Sequence, residues 1–165
     1  MKAIVAVDES WGIGYNGDML FHIPEDLRFF KQKTLGNAVL MGKNTFLSLS
    51  NGALPNRQNI VLTTSKTFKP DNVTIANCFD QAKDLASSKQ FANLYIIGGA
   101  KIYNYFLQFC GTAYVTKIMA KASSCDTFFP NIDNMSNWKL IKASEIKQHN
   151  NISFRFCKYI NTNIL

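Results

Sequence analysis

The 165 residues predict an α/β protein: a mostly parallel central sheet of about eight strands, flanking helices and a C-terminal antiparallel hairpin. Three observations carry this. Short apolar runs bounded by turn formers alternate with segments of helical spacing, which is the pattern of a parallel sheet covered on both faces. Two of those runs end in glycine followed by a helix start, at Met41-Gly42-Lys43 and Ile97-Gly98-Gly99-Ala100. The last stretch switches to a period of two, with Ile152, Phe154, Phe156 and Ile160 alternating with Ser153, Arg155 and Tyr159. That is the pattern of a half-exposed antiparallel strand.

In chain order, residues 2–8 read as a buried strand, and 9–18, with three glycines and several turn formers, as a mobile loop. A helix starts at Pro24, whose missing N–H costs nothing at a first helical position. It runs to about Thr34, and Gly36-Asn37 ends it. Residues 38–41 form a strand, 43–46 start a short helix, 51–57 are a loop, and 59–63 and 73–76 are strands. A helix covers Asp80 to about Ser88, a strand 94–97, a helix Ala100 to Phe109, and a strand 114–118. A loop through 126–130 leads to the closing pair, in which Trp138 to Ala143 pairs with the 152–160 strand across the turn formers Asn150-Asn151.

With 47% hydrophobic and 18% charged residues the chain reads as globular, and its length suits a single domain over 1–165. The N-terminal apolar run is too short to cross a membrane and lacks a signal-peptide layout, so the expectation is a soluble, cytoplasmic protein without membrane contact. Cys78, Cys110, Cys125 and Cys157 are spread without metal-type pairing and read as reduced thiols. His22 and His149 are isolated, so no metal site is expected. The net charge of +7 suits nucleic acid or anionic small molecules. The lysines form no dense tract, which disfavours nucleic acid.

Chemistry concentrates in two places. In the first helix, Glu25 and Asp26 occupy the first turn, where acids suit the dipole. Asp26, Leu27 and Phe30 share one face, so a single carboxylate stands on a face otherwise suited to burial. An ordinary first-turn acid would look the same. The second place is the pair of strand–glycine–helix turns, lying where open sheets of this class bind ligands. Unpaired helix N–H groups, glycine backbone and Lys43 and Lys101 could hold the halves of a pyrophosphate. A tight turn would also explain Gly98-Gly99.

The chain resembles the dihydrofolate reductase family, bacterial chromosomal type. The resemblance covers nearly the whole length and rests on Gly12-Ile13-Gly14, Ile23-Pro24-Glu25-Asp26-Leu27, Val39 to Phe46, Leu54-Pro55-Asn56-Arg57, Ile96 to Tyr103, Tyr114-Val115-Thr116 and Asp126 to Pro130. It implies reduction of 7,8-dihydrofolate to tetrahydrofolate with NADPH, by a monomer. Asp26 matches the acid that accepts the pterin's fork of donors, and Thr116 the hydroxyl that supports it. Val5, Ala6, Leu27, Phe30, Leu49, Leu54 and Ile97 would line the pterin and benzoyl pocket. Arg57 would pair with the α-carboxylate of the glutamate tail, a task that suits its planar fork.

For the cofactor, the resemblance implies Gly98, Gly99, Ala100 and Lys101 as the pyrophosphate loop, with a cis Gly98–Gly99 bond. Thr45 would serve the other phosphate side, and Lys43 and Thr64 the 2′-phosphate. Ala6, Ile13 and Tyr103 would pack around the nicotinamide. Gly14, Gly42, Asn44, Leu62, Thr63 and Ile102 complete the cofactor set. Met19, in the closing loop, and Tyr103 join Asp26 in the catalytic group. Three positions depart from the family pattern. Phe21 replaces a tryptophan, Lys43 replaces an arginine, and the loop Glu9 to Asp18 is one residue longer than in enterobacterial members. A riboflavin-pathway reductase of the same fold and a basic nucleic-acid module are the rival readings.

Overall fold

The computed structural model describes residues 1–87 and 92–164. The elements run β1 (Lys2–Val7), β2 (Gly12–Tyr15), β3 (Asp18–Met19), α1 (Pro24–Thr34), β4 (Ala38–Gly42), α2 (Lys43–Leu47), β5 (Gln58–Leu62), β6 (Val73–Ala76), α3 (Phe79–Ser87), β7 (Leu94–Gly98), α4 (Ala100–Phe106), β8 (Thr112–Ile118), β9 (Thr127–Phe128), β10 (Trp138–Ala143), β11 (Lys147–His149) and β12 (Ile152–Asn161). The expected end of the third helix, Ser88, lies outside the described residues. The helix expected to reach Phe109 stops at Phe106, and its last turn tightens into a 3-10 segment over Leu107–Phe109.

The main sheet has the order β10-β12-β8-β1-β7-β4-β5-β6, with β11 also pairing β12. From β8 to β6 every neighbouring pair is parallel. These strands are covered on both faces, which is why Val39, Leu40 and Met41 form an unbroken apolar run with no exposure at all. One face holds Val5, Leu40, Ile96, Tyr103 and Phe106; the other holds Ile4, Val39, Met41, Phe46 and Tyr95.

Two regions carry more structure than the sequence predicts. The closing pair is three strands. Asn150-Asn151, both with positive φ, turn the short β11 into the first half of β12, while β10 pairs with its second half. Ser144 divides the two partners: its N–H donates to Phe156 O at 2.8 Å, and its Oγ accepts from Phe156 N at 3.0 Å. A side chain thus stands in for one rung of the ladder.

The stretch read as a mobile loop carries regular structure. β2 and β3 form a hairpin through Asn16-Gly17 (φ 49° and 81°), and β9 joins it in a three-stranded sheet. Asn-Gly is a strong two-residue hairpin signal, outweighed in the sequence reading by the glycine content around it. Asp8, 4% exposed, pins the approach to this hairpin. Its carboxylate accepts from the N–H groups of Ser10, Gly12 and Ala122 at 2.8, 2.8 and 3.1 Å. Asp126 accepts from Asn16 N at 2.9 Å and ties the turn to the loop before β9.

Candidate active site

The centre of the site is a contact between α1 and β8. Pro24 opens α1, and Glu25 and Asp26 fill its first turn, with no side-chain cap at Ile23. Thr116 lies in β8, level with Ala6 of β1, and is 1% exposed. Its Oγ1 donates to Asp26 Oδ1 at 2.6 Å. Burial raises the Asp26 pKa above the ordinary carboxylate value, and the hydrogen bond from Thr116 pulls only partly the other way. The result is a carboxyl group that binds a proton more readily than a surface aspartate and keeps one oxygen aimed by a fixed donor.

Apolar residues gather beside it. Phe30, Leu49, Leu54 and Ile97 all pack on the sheet face that carries Val39 and Met41. Leu27 is 44% exposed, so the face of α1 that bears Asp26 is open along that side. Phe29, which the sequence reading passed over, anchors α1 by stacking on Phe156 at 4.2 Å. Val5 is not with this group. Alternation along β1 turns it to the opposite face, beside Tyr103, while Ala6 packs with Phe21 and Ile23. Phe21 thus serves as an ordinary apolar contact.

Tyr103 is buried. Its hydroxyl donates to Ile4 O at 2.6 Å, and its ring meets Phe129 edge-on at 4.8 Å. Burial pushes its pKa far up, so the phenol stays protonated and its proton is held by a backbone carbonyl. Met19 is 45% exposed on the hairpin, and Ile13 packs against the core face of Val5 and Tyr103.

The two strand–glycine–helix turns meet. β4 and β7 are parallel neighbours with Met41 level with Gly98, so both turns leave the same end of the sheet. A Cβ on Gly99 would lie 3.3 Å from Thr45 Oγ1, one on Gly42 3.3 Å from Ile102 Cγ1, and one on Gly98 3.2 Å from the Tyr103 ring. The Gly98–Gly99 bond is cis and Gly98 has φ 113°. A side chain at any of the three would crowd its neighbour, so the backbone here lies close and bare, as suits a cradle for a phosphate-bearing cofactor. Around it Gly14 and Ile102 are buried, Ala100 and Leu62 are half-buried, and Asn44, Lys101 and Thr64 are exposed. Thr63 is buried and structural: its Oγ1 accepts from Ser65 N at 3.2 Å, and its carbonyl accepts from Asn77 Nδ2 at 3.0 Å. The Lys43 ammonium sits 5.3 Å above the Phe68 ring.

Arg57 lies in the loop before β5. Its Nε donates to Pro55 O at 3.1 Å, and partial burial lowers its pKa. It remains a cation. The loop is organised by Asn59, a residue the sequence reading missed; the available signal was a polar residue at the head of a buried apolar strand.

The comparisons agree with this geometry. The family model described as dihydrofolate reductase matches residues 1–161. A dihydrofolate reductase of Buchnera aphidicola is 36% identical over 149 residues, covering 90% of this chain and 88% of that one. One from Bacillus subtilis is 34% identical over 142 residues, covering 86% and 82%. A solved dihydrofolate reductase from Enterococcus faecalis, complexed with NADP(H) and RAB-propyl, superposes with a TM-score of 0.85 at 30% identity over 97% of this chain and 95% of that one. The chain belongs to the dihydrofolate reductase family, the NADPH-dependent oxidoreductases that reduce 7,8-dihydrofolate to 5,6,7,8-tetrahydrofolate.

Proposed function

We propose that the Asp26–Thr116 pair is where this chain recognises the pterin. The single observation behind this is a partly buried carboxylate of raised pKa, held at 2.6 Å by a buried threonine on the neighbouring strand. One Asp26 oxygen accepts the hydrogen bond from threonine, and the carboxylate still has acceptor capacity for the parallel N3–H and 2-amino donors of a pterin. Thr116 fixes the carboxylate plane and adds an oxygen near the 2-amino end. Phe30, Leu49, Leu54, Ile97 and the open flank of Leu27 bind the ring and the benzoyl group. Arg57 meets the α-carboxylate of the tail.

The convergent glycine turns fit NADPH, which when bound supplies a hydride from nicotinamide C4 to pterin C6. Gly98, Gly99, Ala100 and Thr45 hold the pyrophosphate, and Lys43 and Thr64 flank the 2′-phosphate. Ala6, Ile13 and Tyr103 shape the nicotinamide end; Tyr103 acts there through its ring, since its proton is engaged by Ile4. Met19 and the hairpin that carries it exclude water. Asp26 raises the proton affinity of the pterin N5 through the ring it binds, and the proton reaches N5 from solvent. We further take residues 1–165 to act as one cytoplasmic, monomeric domain without nucleic acid. The dispersed lysines support the reading without nucleic acid, and among the described residues no helix is long and apolar enough to cross a membrane.

The test is the loss of NADPH absorbance on adding dihydrofolate, with the parent and with Asp26→Asn. Turnover by the parent that collapses in the variant, while NADPH affinity is kept, supports the reading. Near-parental kcat/KM in the variant at neutral pH refutes it.

A further inference from the structure

Asn59 is the second residue of β5 and is only 3% exposed, although it is polar. Its side chain closes three hydrogen bonds with the loop before it. Oδ1 accepts from Leu54 N at 2.9 Å, and Nδ2 donates to Leu54 O at 3.0 Å and to Arg57 O at 3.1 Å. One amide therefore binds both backbone groups of Leu54 and the carbonyl of Arg57, using three of its four hydrogen-bonding positions.

The loop needs such a clamp. Asn56 adopts φ 56°, a left-handed conformation that a non-glycine residue keeps only where its surroundings hold it. From the far side it is held by its carbonyl, which accepts from Gly36 N at 2.9 Å. From the near side the holding group is Asn59. The Arg57 side chain is tied to the same loop by its Nε bond to Pro55 O, so the direction of the guanidinium follows the loop backbone.

We infer that Asn59 is a positioning residue for recognition of the substrate tail. It sets the Leu54–Arg57 loop and thereby aims both Leu54 at the benzoyl group and Arg57 at the carboxylate. This rests on the proposed role of Arg57, and the experiment separates the two.

The measurement is the ratio of kcat/KM for 7,8-dihydrofolate to that for 7,8-dihydropterin, which lacks the benzoyl-glutamate tail. The ratio does not depend on the fraction of folded protein. Arg57→Leu is measured first; it should cut the ratio about a hundredfold, and an unchanged ratio would remove the proposed role of Arg57 itself. Asn59→Ala should then cut the ratio about tenfold, chiefly through KM for dihydrofolate, because small misplacements of a binding group are costly. Asn59→Ser, which keeps one hydroxyl, should fall between the parent and Asn59→Ala. Because part of the Asn59 effect runs through Arg57, adding Asn59→Ala to Arg57→Leu should lower the ratio by less than tenfold, the remainder running through Leu54. The inference is overturned if Arg57→Leu collapses the ratio while both Asn59 variants leave it at the parental value. It is equally overturned if neither Asn59 variant folds, since Asn59 is then a determinant of folding and not of aim.

Discussion

The two ends of the proposed folate site are built on opposite principles. At the pterin end a carboxylate is partly buried and held by a threonine on a strand in the middle of the sheet, and burial works against its charge. At the tail end a guanidinium stands on a surface loop, and the order is supplied beneath it by the amide of Asn59. A group that must respond to charge developing in a reacting ring gains from low dielectric. A group that grips a distant carboxylate equally before and during reaction needs only direction, which a clamped loop provides.

The largest break in this comparison should come from Asp26→Asn. The amide keeps the shape and loses the charge, so kcat/KM should fall about a hundredfold or more at neutral pH, within the range for removing a group that assists proton transfer. Steady-state kinetics with NADPH and dihydrofolate check this. Arg57→Leu should act differently. A charge-assisted fork is worth about 2–4 kcal/mol, so KM for dihydrofolate should rise by about 1.5–3 decades while kcat changes little. A KM within twofold of the parent would take Arg57 out of the site.

A third prediction extends the contrast to the cofactor. Lys43 is a half-buried point charge whose ammonium lies over the Phe68 ring, closer in kind to the tail end than to the pterin end. The preference for NADPH over NADH should be about 1.5–3 kcal/mol and should shrink as salt is raised. Lys43→Ala should remove most of it. Equal losses for both cofactors would mean that Lys43 acts through its contact with Phe68.

A smaller effect belongs to Thr116→Val. The threonine hydrogen bond lowers the Asp26 pKa against the stronger effect of burial, so its removal should raise that pKa further. A carboxyl NMR titration that moved downward would contradict the geometry. The smallest effect is on stability. Because the folded Asp26 pKa is raised, its protonated form favours folding, and that contribution is lost as pH rises through the folded pKa. Asp26→Asn should therefore melt higher than the parent at pH 8, with the gap closing below about pH 4. Thermal melts at both values decide it.

Much of this was legible in the residues. Pro24 and the acids after it marked the start of α1, and the unbroken run at residues 38–41 marked a strand buried on both faces. The glycines at 42 and 98–99 marked turns, but not that β4 and β7 are neighbours, because strand order is a long-range property. The side chains of Val5 and Ala6 point to opposite faces, as alternation along a strand requires. Asn59 was missed because a buried polar side chain is recognised by its partners, and those become visible only in three dimensions. The β2–β3 hairpin was a misweighting: Asn16-Gly17 carried the signal, and the surrounding glycines obscured it.

The division of labour along β12 has a consequence at the rim of the sheet. β10 is the last strand on that side, and Leu140 and Ile141 are about half exposed on it. An apolar strand with a free ladder of N–H and C=O groups invites another copy of the chain to add on. Here the register of β10 against β12 slips between Leu140 and Lys142, and the strand is over once Ser144 takes its rung. The bulge spoils the straight template, and Lys139 and Lys142 bracket the apolar pair with like charges. The bulge and the early end of β10 at Ser144 thus make this border a poor seed for intermolecular sheet growth.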